Sequence, residues 1–228
     1  MISVPFKHVT DDGKGLMLNS DLKITNVTKA NLVNNADQIW VWIPDDNAYA
    51  TFYINNSDQW VRKGTKTLFE ETPGFENGLP EGAAIYYVAN KNGNLPKMAT
   101  GSGAVETEAE FENEDIALNN YTMMSSPYPT ALFLNGKTLG SEKVFEVTNV
   151  TKANLVNNAD QIWVWIPDDN AYATFYINNS DQWVRKGTKT LFEETPGFEN
   201  GLAAGKAFYF VANKNGVLAK SIIFRRNF

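Results

Sequence analysis

The side chains able to do chemistry fall into two groups, carboxylates in turns and aromatic rings on strands. Asp45, Asp46 and Asp58 recur as Asp168, Asp169 and Asp181. Two carboxyl groups about 5–10 Å apart across a cleft are what hydrolysis of a glycosidic bond requires. Each of these acids, however, lies in an Asp-Asp-Asn or Asn-Asn-Ser-Asp stretch of the kind that closes β-turns, and the turn role accounts for them. The one histidine, His8, has no counterpart in the second half of the chain, and no Gly-x-Ser-x-Gly elbow is present for it to serve. The same turns are rich in hard oxygen donors suited to calcium, but they stand at opposite ends of one expected strand, so a site would need oxygens from a third loop such as that of Asp11 and Asp12. No phosphate loop, zinc-ligand spacing or dinucleotide fingerprint occurs. The expectation is therefore a non-enzyme without metal or other cofactor, with a carboxylate glycoside hydrolase as the minor alternative.

The aromatic group is the stronger lead. The stretch Gln38-Ile39-Trp40-Val41-Trp42-Ile43 alternates aliphatic and indole side chains. As a strand it puts Ile39, Val41 and Ile43 on one face and Trp40 and Trp42 on the other. On the next stretch Tyr49, Thr51 and Tyr53 share a face. Paired antiparallel, the two strands would present a Trp/Tyr platform of the sort that stacks on sugar rings or anchors a protein partner. Trp60, between Gln59 and Arg62, is a more isolated candidate. The second half repeats all of these residues as Trp163, Trp165, Tyr172, Tyr176 and Trp183. The alternative is a covered face, with a second layer packed over the indoles, and that is the favoured reading for at least one Trp of each pair.

These side chains belong to a repeat. Residues 25–79 recur letter for letter as residues 148–202, 55 positions shifted by 123. Identity that extends to surface positions reports how the gene arose and not a chemical requirement. Within the repeat, two turn signals separate three strand-like runs at 38–44, 49–54 and 59–63. Connections of about four residues make these an antiparallel meander, because parallel neighbours need crossovers of a dozen residues or more. Residues 28–35 could form a short helical turn, and 68–71 either a fourth strand or a helical turn. Beyond the repeat the copies diverge in an informative way. Ala83-Ala84-Ile85-Tyr86-Tyr87-Val88 becomes Lys206-Ala207-Phe208-Tyr209-Phe210-Val211, the pattern of a buried strand with a wet first residue. Ahead of each copy, Ile2-Ser3 stands opposite Met124-Ser125, and Leu16-Met17-Leu18-Asn19 opposite Leu132-Phe133-Leu134-Asn135.

The expected fold is all-β: two tandem antiparallel β-sandwich or barrel-like domains related by internal duplication. Their expected bounds are 1–98 and 119–228, and at 228 residues the chain suffices for two such cores. Residues 99–118 lie between them, a Gly/Ser stretch followed by an acidic linker or edge strand. There Glu106, Glu108, Glu110 and Glu112 alternate with Thr107, Ala109 and Phe111, so the acids share one face and protect an edge from aggregation.

Charge narrows the partners. With 26 acidic and 20 basic residues, a net charge of −6 offers no general cationic field, which argues against nucleic acid. No run approaches the roughly 20 apolar residues of a membrane helix, so membrane insertion is not expected. The absence of cysteine removes disulfides and thiolate sites. A Pro and a Lys stand near the N-terminus where a signal peptide would have its apolar run, so no signal peptide is expected within this chain, and an exported protein would have lost it or carry it upstream.

Three stretches carry a resemblance. Met123-Met124-Ser125-Ser126-Pro127-Tyr128-Pro129 is followed by Ala159-Asp160-Gln161-Ile162-Trp163-Val164-Trp165, and then by Ala204-Gly205-Lys206-Ala207-Phe208-Tyr209. In that order they resemble the tandem β-repeat modules of bacterial secreted and cell-surface proteins. The likeness covers nearly all of the second copy, and the first matches with Val4-Pro5-Phe6 as its opening. It implies an extracellular or cell-surface repeat that binds carbohydrate or protein, or that serves purely as a structural spacer.

Overall fold

The computed structural model describes residues 2–3, 6–7, 14–43, 46, 48–80, 83–93, 99–101, 104–105, 110–116, 121–166, 169–217 and 220–226. The chain divides into two compact units, Met1–Glu106 and Thr107–Phe228, and both are all-β with antiparallel sheets. His8, Asp11, Asp12, Asp45, Asp168, Ser102, Gly103, Glu106 and Glu108 lie outside the described residues.

Unit 1 contains β1 (Ile2–Ser3), β2 (Phe6–Lys7), β3 (Leu22–Ile24), β4 (Gln38–Ile43), β5 (Ala48–Ile54), β6 (Trp60–Arg62), β7 (Ala84–Val88), β8 (Ala99–Gly101) and β9 (Ala104–Val105). Five of them make one sheet in the order β1-β7-β4-β5-β6, while β2 pairs with β9 and β3 with β8. The β4–β5–β6 meander is the one read from the repeat, and its turns show why the acids are there. Asn55 Oδ1 accepts the Ser57 and Gln59 backbone N–H groups at 2.9 and 3.0 Å, and Asp58 adopts a left-handed φ of 64° that Asp tolerates better than most residues. Residues 33–35 and 69–71 are single 3₁₀ turns.

The inward side of the sheet, Ile39, Val41, Ala50, Phe52, Ile54 and Ile85, buries against Leu16, Leu18 and Leu79, with Leu22 and Ile24 of β3 closing the core. Phe69 and Phe75 meet Phe52 edge-on, with centroids 4.9 and 5.1 Å away. Backbone crosses backbone beside this core. A Cβ on Gly78 (φ 75°) would stand 2.7 Å from the Gly15 carbonyl oxygen, so only glycine fits there.

Unit 2 contains β10 (Glu110–Ile116), β11 (Tyr121–Ser125), β12 (Phe145–Val147), β13 (Gln161–Ile166), β14 (Ala171–Ile177), β15 (Trp183–Arg185), β16 (Ala207–Val211) and β17 (Lys220–Arg225). Its five-stranded sheet, β11-β16-β13-β14-β15, repeats that of unit 1, and β10-β17-β12 forms a second sheet. Ile116, Phe145, Ile222 and Phe224 of the second sheet share one core with Ile162, Val164, Phe175, Phe208 and Phe210 of the first. The copies align beyond the exact repeat, since Ile2 stands opposite Ile85 as Met124 stands opposite Phe208. Likewise Leu16 bridges Leu79 as Leu132 bridges Leu202.

The division between units falls within the stretch 99–118. Residues 99–101 are β8 and residues 104–105 are β9, both paired within unit 1. The end of the acidic run, from Glu110, lies in the edge strand β10 of unit 2, where Glu110 and Glu112 are exposed while Phe111 packs on the core. Glu110 lies 2.7 Å from Arg225, and Glu112 accepts a hydrogen bond from the Ser221 hydroxyl. No helix among the described residues is long and apolar enough to cross a membrane.

A buried aspartate fixes the loop before the central strand. Asp37 Oδ2 accepts the Thr28 N–H at 2.8 Å and the Tyr87 hydroxyl at 2.6 Å, and Oδ1 accepts the Asn90 N–H at 2.6 Å. Burial, together with this hydrogen bond and the negative charge of Asp37, pushes the Tyr87 phenol far above its ordinary range. In unit 2, Phe210 replaces Tyr87 and has no hydroxyl. There the Lys220 ammonium, itself fully buried, donates to Asp160 Oδ2 at 2.9 Å.

Candidate functional site

The outward side of each five-stranded sheet carries the aromatic group. Register decides its composition. Trp42 stands opposite Tyr49 and Trp40 opposite Thr51 across β4–β5, while Trp40 stands opposite Tyr86 across β4–β7. All four rings are part-exposed. Tyr49 is the hub, with its ring centroid 4.9 Å from Trp42, 6.1 Å from Trp40 and 5.8 Å from Tyr86, at interplanar angles of 50–65°. Unit 2 reproduces this with Tyr172 at 5.0 Å from Trp165, 6.2 Å from Trp163 and 5.9 Å from Tyr209. It adds Tyr121, 43% exposed and 5.2 Å from Trp163.

The opposite end of the same face is covered. Gln38 stands opposite Tyr53 there, and the loop tethered by Asp37 lays Ala30, Val33 and Ala36 over Tyr53. Tyr53 and Tyr176 are each only 4% exposed. The covering loop also orients the neighbouring indole. Gln38 Nε2 donates to the Val33 carbonyl at 3.0 Å, and its Oε1 accepts the Trp40 Nε1–H at 2.9 Å. The same relay runs from Val156 through Gln161 to Trp163. Trp42 Nε1 is buried and has no hydrogen-bond partner among the described residues.

Of the ten expected ligand-binding residues, Trp40, Trp42, Tyr49, Trp163, Trp165 and Tyr172 lie together on the open ends. Tyr53, Tyr176, Trp60 and Trp183 do not. Trp60 and Trp183 are 3% exposed and point into the main cores, because each stands opposite an inward Ile, Ile54 or Ile177. Their indoles are structural. Tyr86 and Tyr209 were missed, although a signal existed. Tyr86/Tyr209 is an aromatic position that stays constant between two that change, Ile85 to Phe208 and Tyr87 to Phe210. Tyr121 carried no such signal, because β11 joins the sheet only through its long-range pairing with β16.

The carboxylates are placed otherwise. Asp46 and Asp58 flank the two ends of the seven-residue β5, about 20 Å apart at some 3.3 Å per residue, well beyond the spacing of a hydrolytic pair. Asp58 pairs with Lys29 at 2.9 Å, and Asp181 with Lys152 at 2.8 Å and with Lys143. Burial alone would raise the Asp181 carboxyl, but the hydrogen bonds and charges of Lys143 and Lys152 hold it below its ordinary value.

Compared with protein-family models, with curated proteins and with solved structures, the chain matches none, so its function has to be read from its own residues.

Proposed function

We propose that the protein is a non-catalytic, two-site binding module of a bacterial surface or secreted protein, taking carbohydrate or protein ligands on the open aromatic end of each five-stranded sheet. The observation that carries this reading is selective covering. A tethered loop hides the Tyr53 end of the face and leaves the Trp-Trp-Tyr-Tyr end part-exposed, and both copies do so. Rings with polar tips and few rotatable bonds lose little entropy on contact and gain apolar area, so they suit recognition. The mutual tilts matter as well. The rings form a ridge with separate faces, which suits one sugar residue or one apolar side chain more than a long flat glycan.

The internal ring contacts favour a second reading, in which the cluster only stiffens a spacer. Two measurements separate them. In variants keeping one Trp each, acrylamide should quench Trp40, Trp42, Trp163 and Trp165 and spare Trp60 and Trp183. A glycan and protein array should then yield a ligand whose binding is lost on combining Trp40→Ala and Tyr49→Ala with Trp163→Ala and Tyr172→Ala. Protection of the four outward indoles, or binding that survives the four changes, would refute the proposal.

A further inference from the structure

Unit 1 holds a cavity of about 380 Å³ between β3 and the β5–β6 turn, walled by Leu22, Ile24, Val27, Ile54 and Trp60. The corresponding space in unit 2 is about 80 Å³, although most of its walls are the same repeated residues. Two differences in sequence lie at this place. Phe145 replaces Leu22, and nine residues instead of two separate the aligned Asn135 from Phe145. That longer connection folds into a small hairpin, with the Thr138 N–H donating to the Glu142 carbonyl at 2.8 Å and the Val144 N–H to the Gly136 carbonyl at 3.0 Å. It delivers Lys143 to the Asp181 carboxylate.

The charges at the two mouths define what is missing. In unit 2 the carboxylate takes one ammonium on each oxygen, Lys152 on Oδ1 and Lys143 on Oδ2. In unit 1, among the described residues, Lys29 is the one ion-pair partner of Asp58, whose side chain is 64% exposed against 38% for Asp181. The other cation at the cavity, Lys23, is exposed between the part-buried Leu22 and Ile24 on β3 and makes no ion pair with Asp58 among the described residues. The short Asn19–Leu22 connection cannot imitate the hairpin, because its Asp21 is buried and accepts the Met17 N–H at 2.9 Å.

We infer that the unit 1 cavity receives in trans what unit 2 supplies in cis: a primary ammonium on an apolar stem, presented as a lysine side chain by a protein segment. The ammonium pairs with Asp58 and the stem fills the space between Leu22 and Trp60. This site is separate from the aromatic face.

The test is NMR of the full chain with ¹⁵N-labelled tryptophan, observing the Trp60 indole. The probes are a capped peptide copying residues 136–144, the same peptide with norleucine in place of its Lys143, n-butylammonium, and n-butyrate as the opposite charge. The Lys-containing peptide and n-butylammonium should shift Trp60 saturably, and the norleucine peptide and n-butyrate should not. Asp58→Asn should weaken binding about tenfold, the loss of one charge-assisted hydrogen bond. Leu22→Phe should weaken binding by taking up the space that the apolar stem fills. Both substitutions are compatible with folding, since Asn tolerates a positive φ and Phe145 already occupies the equivalent position. Failure of both cationic probes, or undiminished binding to Asp58→Asn, would overturn the inference. A response to n-butylammonium without one to the peptide would refute a protein-borne lysine and leave a free amine as the occupant.

Discussion

At the scale of single residues, the copies are a controlled comparison in which the same side chain has different neighbours. Asp37 is satisfied in part by a phenol and Asp160 by an ammonium, both inside a buried loop anchor. Removing one partner of a buried pair strands the other charge, so Lys220→Met should destabilise unit 2 by about 3–5 kcal/mol in urea denaturation. Tyr87→Phe, which imports the residue of the other copy without its lysine, should destabilise unit 1 by about 1–3 kcal/mol. Asp181 has a folded-state pKa below its unfolded value. Its ion pairs therefore contribute fully above the ordinary carboxylate range and are lost as pH falls through the lower, folded-state value. A ¹³C NMR titration should find its midpoint below that of a free Asp, and Lys143→Met should move it upward.

At the scale of elements, the central meander was legible because its information is local. The period-two pattern of Gln38–Ile43, the Asn/Asp turns and the short connections all lie within a few residues of one another. The edge strand β10 was only half legible. Alternation placed its acids on one face, but its partner β17 begins more than a hundred residues away in sequence. Ile116, 5% exposed, ties β10 into the core of unit 2. Ile116→Ala should therefore lower the stability of unit 2 by about 2–5 kcal/mol, whereas a linker would feel no such change. Equilibrium denaturation monitored through Trp183 measures it.

At the scale of the whole molecule, two units with separate cores carry two copies of the aromatic patch, so a monovalent ligand should titrate to a stoichiometry of two. Disabling one patch with Trp40→Ala and Tyr49→Ala should bring the stoichiometry to one in calorimetry, with the remaining affinity unchanged. A ligand displayed densely on a surface should lose much more, up to about a hundredfold, if both sites engage together. By itself the amino-acid sequence determined the all-β class, the duplication, the meander and the alternation that puts two indoles on one side of a strand, since periodicity and turn chemistry act over short distances. Only the tertiary structure decided which aromatics stay open. Trp40 and Tyr53 share a face, and the loop held by Asp37 covers one end of it and not the other. Trp60, a binding candidate near Gln59 and Arg62, is core, because burial depends on what packs over a residue from elsewhere in the chain.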